Sequence, residues 1–277
     1  MEINKYIEKC IVKSNIIYCT FILSYKCNAK CSFCYQKPYK SYNDILDPKN
    51  AINILKYIKS KDKLEIIVHI TGGEPCLNRS VLNKLTIFLI KEHIKYDIFT
   101  NGTLLDNEFN KILKHCYILH LSVHGFTEEE TEETYKNKIN PNIELISKYK
   151  IPLYLHVNFL PIRYKNILDV FDNIGKMFGK QVIYIKRIEI ASDMNITNIN
   201  VIWNNQMNKY LLDLKKIYRY VYTDGFYFFD VYINKVKIIL QICKSLYSCR
   251  NITGSNIMFL PNNKITTTFK GKTKYLC

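Results

Sequence analysis

No uninterrupted apolar run in these 277 residues approaches the roughly 18 that a membrane-spanning helix needs. The opening Met-Glu-Ile-Asn-Lys-Tyr-Ile-Glu-Lys also lacks the basic, apolar and small-residue succession of a secretory signal. Both absences point to a cytoplasmic protein without a membrane partner. Acidic residues are few: 24 Asp and Glu stand against 40 Lys and Arg, a formal net charge of +16. Such an excess favours acidic partners. The lysines are scattered, however, and no appended RNA-binding motif is visible, so nucleic acid is not the expected partner. Cysteine is not scarce, and the clustering of the 10 cysteines at a metal-like spacing indicates a reducing compartment rather than a disulfide framework.

Three of those cysteines are spaced Cys27-x-x-x-Cys31-x-x-Cys34, with Tyr35 directly after the last. No fourth cysteine lies close to them. Structural zinc normally takes four ligands, whereas an iron–sulfur cubane held by three thiolates keeps one iron open for chemistry. Farther on, Gly72-Gly73-Glu74-Pro75 follows the next strand-like run.

Strand-like runs recur near residues 16–23, 66–71, 96–100, 118–123, 153–159 and 182–189, with helical segments between them. Six βα units in a row imply a parallel, curved sheet with helices outside. Asp47-Pro48 opens one helix, Ser80 is the expected cap of the next, and Thr127 with Glu130 reads as a capping box. Alternation along the strands separates two faces. Leu119, Leu121 and Val123 share one, while His120, Ser122 and His124 share the other; His156 and Asn158 repeat the polar face on the next strand, and His69 sits with Thr71. A closed eight-stranded barrel fills its interior with branched apolar side chains. A polar inner face argues instead for an incomplete barrel with a pocket, although each histidine taken singly is better read as a buried, hydrogen-bonded group.

The cysteine spacing, Tyr35 and Gly72–Pro75 together resemble the radical SAM enzymes. The resemblance runs from the first strand to Glu189 and implies an α/β fold, a partial (β/α)6 TIM barrel over residues 1–190. It implies a [4Fe-4S] cluster on Cys27, Cys31 and Cys34, whose open iron chelates S-adenosylmethionine. Reductive cleavage then yields a deoxyadenosyl radical that takes hydrogen from a substrate. By the same resemblance Gly72, Gly73, Glu74 and Pro75 meet the methionine moiety, with Glu74 accepting from its ammonium, and Tyr35 lies near the adenine. Thr100-Asn101-Gly102 ends the third strand as in many members. Ser122 stands where a ribose or carboxylate contact is common, Asn158 is placed to meet the ribose, and Arg187 can pair with the methionine carboxylate or with substrate, an ordinary surface or lumen salt bridge being its equal alternative. His124, at a strand end, is a candidate proton carrier. Cys76, next to the glycine strip, is a candidate hydrogen donor, with a small apolar filler as its plainer reading.

Residues 191–277 differ in character and form the expected small α+β extension. A helix is expected near residues 203–222, followed by an aromatic strand at 226–232. Cys249-Arg-Asn-Ile-Thr-Gly254 and the hairpin-like run 257–265 resemble the start of SPASM and twitch domains. Asn263 replaces the usual turn glycine, and Thr268 stands where the second cysteine is expected. The reading is therefore a degenerate twitch-like cap; a second cluster on Cys243, Cys249 and Cys277 is the alternative. Enzymes with such caps mostly modify ribosomally made peptides, which makes a peptide the expected substrate and a small metabolite or a glycyl-radical enzyme the alternatives. Only 26 residues precede Cys27, too few for a leader-binding winged-helix domain, so a peptide is expected to bind directly or through a separate protein. A reductant such as flavodoxin or ferredoxin is the remaining expected partner. A non-catalytic iron–sulfur or zinc protein would have no need of Glu74 and its glycines.

Overall fold

Alternating apolar and polar residues make Ile16–Ile22 a strand, β1, which opens the described part of the chain. The computed structural model describes residues 16–31, 34, 36, 43–61, 64–137, 140–157, 163–190, 199–223, 226–243, 256–261, 264–266 and 274–275. Strands β2 (Glu65–Thr71), β3 (Lys95–Thr100), β4 (Ile118–Ser122), β5 (Leu153–His156) and β6 (Ile185–Ile190) follow. Each pairs in parallel with the one before it. Between them run α1 (Pro48–Lys59), α2 (Arg79–Lys91), α3 (Asn110–His115), α4 (Glu128–Tyr135), α5 (Ile143–Lys148) and α6 (Ile167–Phe178). The expected succession of six parallel strands is present.

Helix ends follow local chemistry. The Asp47 carboxylate accepts from Lys49 N, and Pro48 occupies the first turn of α1, which buries Ala51, Leu55 and Ile58. Each of the last two side chains contributes about 2 kcal/mol by leaving water. Thr127 caps α4 by accepting from Glu130 N, and Glu130 in turn accepts from Phe126 N, one residue short of the reciprocal capping-box contact. Ser80 is not a cap: α2 starts at Arg79, because a short 3₁₀ turn over Pro75–Asn78 leads directly into it.

The rest of the chain extends the same sheet. Helix α7 (Ile199–Ile217) precedes β7 (Tyr220–Thr223), β8 (Phe226–Ile233), β9 (Val236–Cys243), β10 (Asn256–Leu260), β11 (Lys264–Thr266) and β12 (Lys274–Tyr275). Strand β9 lies parallel beside β6, and β10 lies parallel beside β1. The order β12-β11-β10-β1-β2-β3-β4-β5-β6-β9-β8-β7 leaves the sheet open, with β12 and β7 at its ends. Two expected boundaries are corrected. Residues 220–222 are strand rather than the end of a helix, since Tyr-Val-Tyr-Thr favours extended backbone and pairs with Phe226–Phe229. Residues 182–184 belong to a 3₁₀ turn, so β6 starts only at Ile185. The hairpin expected after Ile257 is formed by β10 and β11. Asn263, Thr268, Cys249 and Cys277 lie outside the described residues, and of Cys243 only the backbone is described.

One face of the sheet is predominantly apolar. Cys19, Val68, Ile98, Leu119, Leu121, Leu155 and Ile188 join helix residues such as Leu55, Leu82, Leu85, Ile112, Val170 and Ile174 in a single buried cluster. The opposite, inner face carries Tyr18, His69, Asp97, Phe99, His120, Tyr154, His156, Arg187 and Glu189. Most of these remain half-buried, so solvent reaches the inner face. The expected polar interior is there.

Candidate active site

The loop after β1 and the strip after β2 are held together by backbone. Leu23 N donates to Thr71 O (2.9 Å), Gly73 N to Ser24 O (2.8 Å) and Glu74 N to Lys26 O (2.8 Å), so parallel pairing continues past both strand ends toward Cys27. This contact explains the glycines. A Cβ on Gly72 would stand 2.6 Å from Ser24 O, and Gly72 has φ +151°; a Cβ on Gly73 would stand 2.1 Å from Lys26 O. Only residues without side chains let the two segments approach so closely.

Cys27, Cys31 and Cys34 lie half-buried on that loop, none of them in a disulfide. Ala29 N donates to Cys27 Sγ at 3.3 Å, and Cys34 N donates to Cys31 O at 3.3 Å. Tyr35 lies outside the described residues. The loop is braced from two further sides. Lys30 N donates to Tyr135 O (2.7 Å) and Asn137 Nδ2 to Asn28 O (2.6 Å), which fastens the loop to the end of α4. Asn101 Nδ2 donates to Asn28 Oδ1 (2.8 Å), which fastens it to the end of β3.

Glu74 is the hub beneath this mouth. Its carboxylate accepts from Thr100 Oγ1 (2.7 Å), Asn101 N (2.9 Å) and Cys76 N (3.0 Å), and the residue is 1% exposed. Burial pushes its carboxyl above the ordinary value, and these three donors pull the other way. Thr100 lies on the helix-facing side of β3, so the carboxylate is turned toward β3 rather than into the inner cavity. Pro75 continues from it as the buried first residue of the 3₁₀ turn.

The remaining sequence candidates fall in different places. Cys76 is 1% exposed within the apolar cluster, its Sγ 3.7 Å from Thr100 Oγ1. Burial and the neighbouring Glu74 hold the thiol protonated. The thiol is a member of the buried apolar core. His124 is 5% exposed, with its ring 5.3 Å from that of Tyr135. Burial lowers it to about 3, so it is a neutral imidazole at neutral pH. Ser122 ends β4 half-buried, and its carbonyl accepts from Tyr135 Oη at 3.0 Å. Arg187 lies on the inner face over the Tyr154 ring (4.6 Å) and donates to Gln241 Oε1 at 3.0 Å. Asn158 lies outside the described residues. The structure thus brings Cys27, Cys31, Cys34 and the Gly72–Pro75 strip to one mouth, with the polar inner face below. Sequence reasoning missed Asn28, Tyr135 and Asn137. Of these only Tyr135 carried a signal, as the aromatic residue closing an otherwise acidic helix.

A family model described as the radical SAM superfamily matches residues 21–174. The chain belongs to the radical SAM superfamily. Among relatives of this radical SAM chain, MJ1632 of Methanocaldococcus jannaschii, named as a glycyl-radical enzyme activating enzyme, is 28% identical over 159 residues, 56% of this chain and 60% of that protein. The antilisterial bacteriocin subtilosin biosynthesis protein AlbA of Bacillus subtilis is 30% identical over 102 residues, 35% of this chain and 21% of AlbA. The crystal structure of Streptococcus suis SuiB bound to S-adenosylmethionine superposes with TM-score 0.65 at 16% identity, over 99% of this chain and 65% of that one. SuiB bound to its precursor peptide SuiA gives TM-score 0.63 at 14% identity, over 99% and 66%. The chain spans less than two thirds of each of these proteins. At such identities the structural likeness establishes the fold.

Membership makes the chain an enzyme and implies a [4Fe-4S] cluster and S-adenosylmethionine. The donor chemistry suits the cluster, three soft thiols on one loop with an amide already aimed at one sulfur, although among the described residues the three are not gathered closely enough to form a metal-holding group. No helix among the described residues is long and apolar enough to cross a membrane.

Proposed function

We propose that this radical SAM enzyme acts on a ribosomally made peptide that enters the open inner face of its sheet, in the cytoplasm, with a flavodoxin or ferredoxin as electron donor. When bound, the cluster and S-adenosylmethionine supply one-electron cleavage of the sulfonium and, from it, removal of a hydrogen atom from the substrate. Cys27, Cys31 and Cys34 would hold the iron. The backbone of Gly72–Glu74 flanks them, and the polar inner face offers donors and acceptors to the substrate.

One observation carries this reading. The glycine strip is hydrogen-bonded to the cysteine loop itself, at Ser24 and Lys26, so the metal-binding segment and the expected cofactor-binding segment form one mouth above the polar face. Two things support a peptide: the likeness to AlbA, a bacteriocin biosynthesis protein, and the SuiB fold, which in one structure holds a precursor peptide. The net charge of +16 suits an acidic leader. Activation of a glycyl-radical enzyme is the second reading, favoured by the longer match to MJ1632.

Anaerobic reconstitution with iron and sulfide, followed by S-adenosylmethionine and dithionite, should release deoxyadenosine. Equal release by wild type and Cys31→Ala would overturn the enzymatic assignment of this loop. Incubation with peptides encoded near the gene then separates the two readings: a mass change in a peptide supports the first, and a glycyl radical signal in a partner enzyme supports the second. Iron retained by a Cys27/Cys31/Cys34 triple variant would identify a second cluster involving Cys243, Cys249 and Cys277.

A further inference from the structure

A chain of titratable side chains crosses the inner face from β2 to β6. Asp97, 3% exposed, is its anchor: Oδ2 stands 3.1 Å from His69 Nδ1 and 3.7 Å from His120 Nε2. His120 Nδ1 lies 2.9 Å from His156 Nε2. His156 Nδ1 faces Glu189 Oε2 at 3.8 Å. Phe99 stacks on His120 with ring centroids 3.8 Å apart and holds the ring in place.

The protons in this chain can be placed by elimination. Burial pushes the Asp97 carboxyl up, but the imidazoles of His120 and His69 more than reverse this, so the group is ionised at neutral pH. Burial lowers His120 to about 4 and lowers His156 as well, so both rings are neutral. A neutral imidazole has one N–H and one lone pair. His120 Nε2 is buried without a hydrogen-bond partner, and the Asp97 charge 3.7 Å away favours the tautomer with the hydrogen on that nitrogen, which leaves Nδ1 as an acceptor. The 2.9 Å contact then requires His156 Nε2 to be the donor, so His156 Nδ1 also carries a lone pair. It faces a carboxylate oxygen, itself an acceptor. Two acceptors 3.8 Å apart, on the solvent-reached side of the sheet, call for a hydrogen-bond donor between them.

We propose that His156 Nδ1 and Glu189 Oε2 form a seat for an ammonium group of the substrate. An ammonium has hydrogens for both acceptors and a charge for Glu189. Asp97 and Glu189 leave the inner face one negative charge in excess over Arg187, which is occupied with Tyr154 and Gln241. A lysine side chain or a free amino terminus has this chemistry. The seat rests on the reading that substrate occupies the inner face and sharpens it to an amine-bearing one; no covalent step is assigned to it.

The test uses the reconstituted holoenzyme with ¹⁵N-labelled histidine, in the oxidised state of its cluster. Methylammonium chloride should shift the His156 Nδ1 resonance saturably, while tetramethylammonium chloride at equal ionic strength, with the same charge and no N–H, should leave it in place. Glu189→Gln should weaken methylammonium binding about tenfold or more, the loss of one charge-assisted hydrogen bond. Equal responses to the two cations, or none to methylammonium, would overturn the seat. The comparison in wild type needs no variant to fold. Deoxyadenosine release by wild type is scored separately, so a chain that binds methylammonium without cleaving S-adenosylmethionine refutes the enzymatic reading and not the seat.

Discussion

Asn101 donates its side-chain amide to Asn28 Oδ1 at 2.8 Å, and its backbone N–H to Glu74 Oε2 at 2.9 Å. One residue at the end of β3 thus ties together the loop of Cys27 and the carboxylate that organises the glycine strip. Asn101→Ala removes the first bond, together with the one that Asn101 Oδ1 accepts from Thr103 N at 3.1 Å, and keeps the second. The expected cost is about 1 kcal/mol of global stability, with a larger local effect. Hydrogen exchange of the amides at Asn28–Lys30 should accelerate, and iron retention after gel filtration should fall. Unchanged exchange in that loop would show that Asn28 is held by Asn137 alone.

Two glycines separate close packing from backbone freedom. Gly73→Ala puts a methyl group 2.1 Å from Lys26 O, a backbone atom that cannot swing aside. Destabilisation of about 3 kcal/mol or more, together with loss of the cluster, is expected, since overpacking against backbone belongs to the severe class of substitutions. Gly179 has φ +51° and nothing within 4 Å of an added Cβ. Gly179→Ala should cost about 2 kcal/mol, the strain of a backbone conformation (φ 51°, ψ −124°) that lies outside the left-handed helical well and that glycine alone adopts readily. Thermal melts of both variants, with iron content, test the contrast.

Glu74→Gln probes the hub. The carboxylate accepts three hydrogen bonds in a site that is 1% exposed. An amide presents one oxygen and two N–H groups to those donors, so at least one donor is left facing another. A loss of about 2 kcal/mol is expected at neutral pH. Burial raises the folded-state pKa of Glu74, so ionising it in the folded protein costs free energy as pH rises through that value. The variant should therefore compare least favourably with wild type in mild acid and recover part of its deficit above it. A urea midpoint deficit independent of pH would sink this account.

Much of the fold was legible because period-two alternation is local. His120 and His156 could be assigned to one face from neighbouring residues alone, and the parallel order followed from the succession of strands and helices. The orientation of Glu74 was not legible, since it depends on Thr100 and Asn101, which β3 delivers from a distant stretch of chain. The same holds for Cys76, whose side of the sheet follows from the 3₁₀ turn. Nor could local pattern show that β10 pairs with β1 and β9 with β6, because long-range strand pairing leaves no periodic trace in either partner. The bracing of the cysteine loop by Tyr135 and Asn137 belongs to the same class of contact.

Acid should destabilise the protein well above the usual carboxylate range. Burial holds His120 near 4 and His124 near 3, while an unfolded histidine titrates close to 6.5. Below 6.5 the unfolded chain takes up protons that the folded chain refuses, so stability falls with pH from 6.5 down to about 4 for His120 and about 3 for His124. The His120 difference corresponds to about 3 kcal/mol across that window. Asp97, with a folded pKa below its ordinary value, adds a further loss only below about 4, and Glu74, with a raised value, offsets part of the slope near its own titration. Urea midpoints at pH 8, 6.5 and 5 should therefore be nearly level between the first two and drop to the third. His124→Gln should flatten the drop by removing one buried base. An equal drop in that variant would mean that His124 takes up its proton in the folded state as readily as in the unfolded chain.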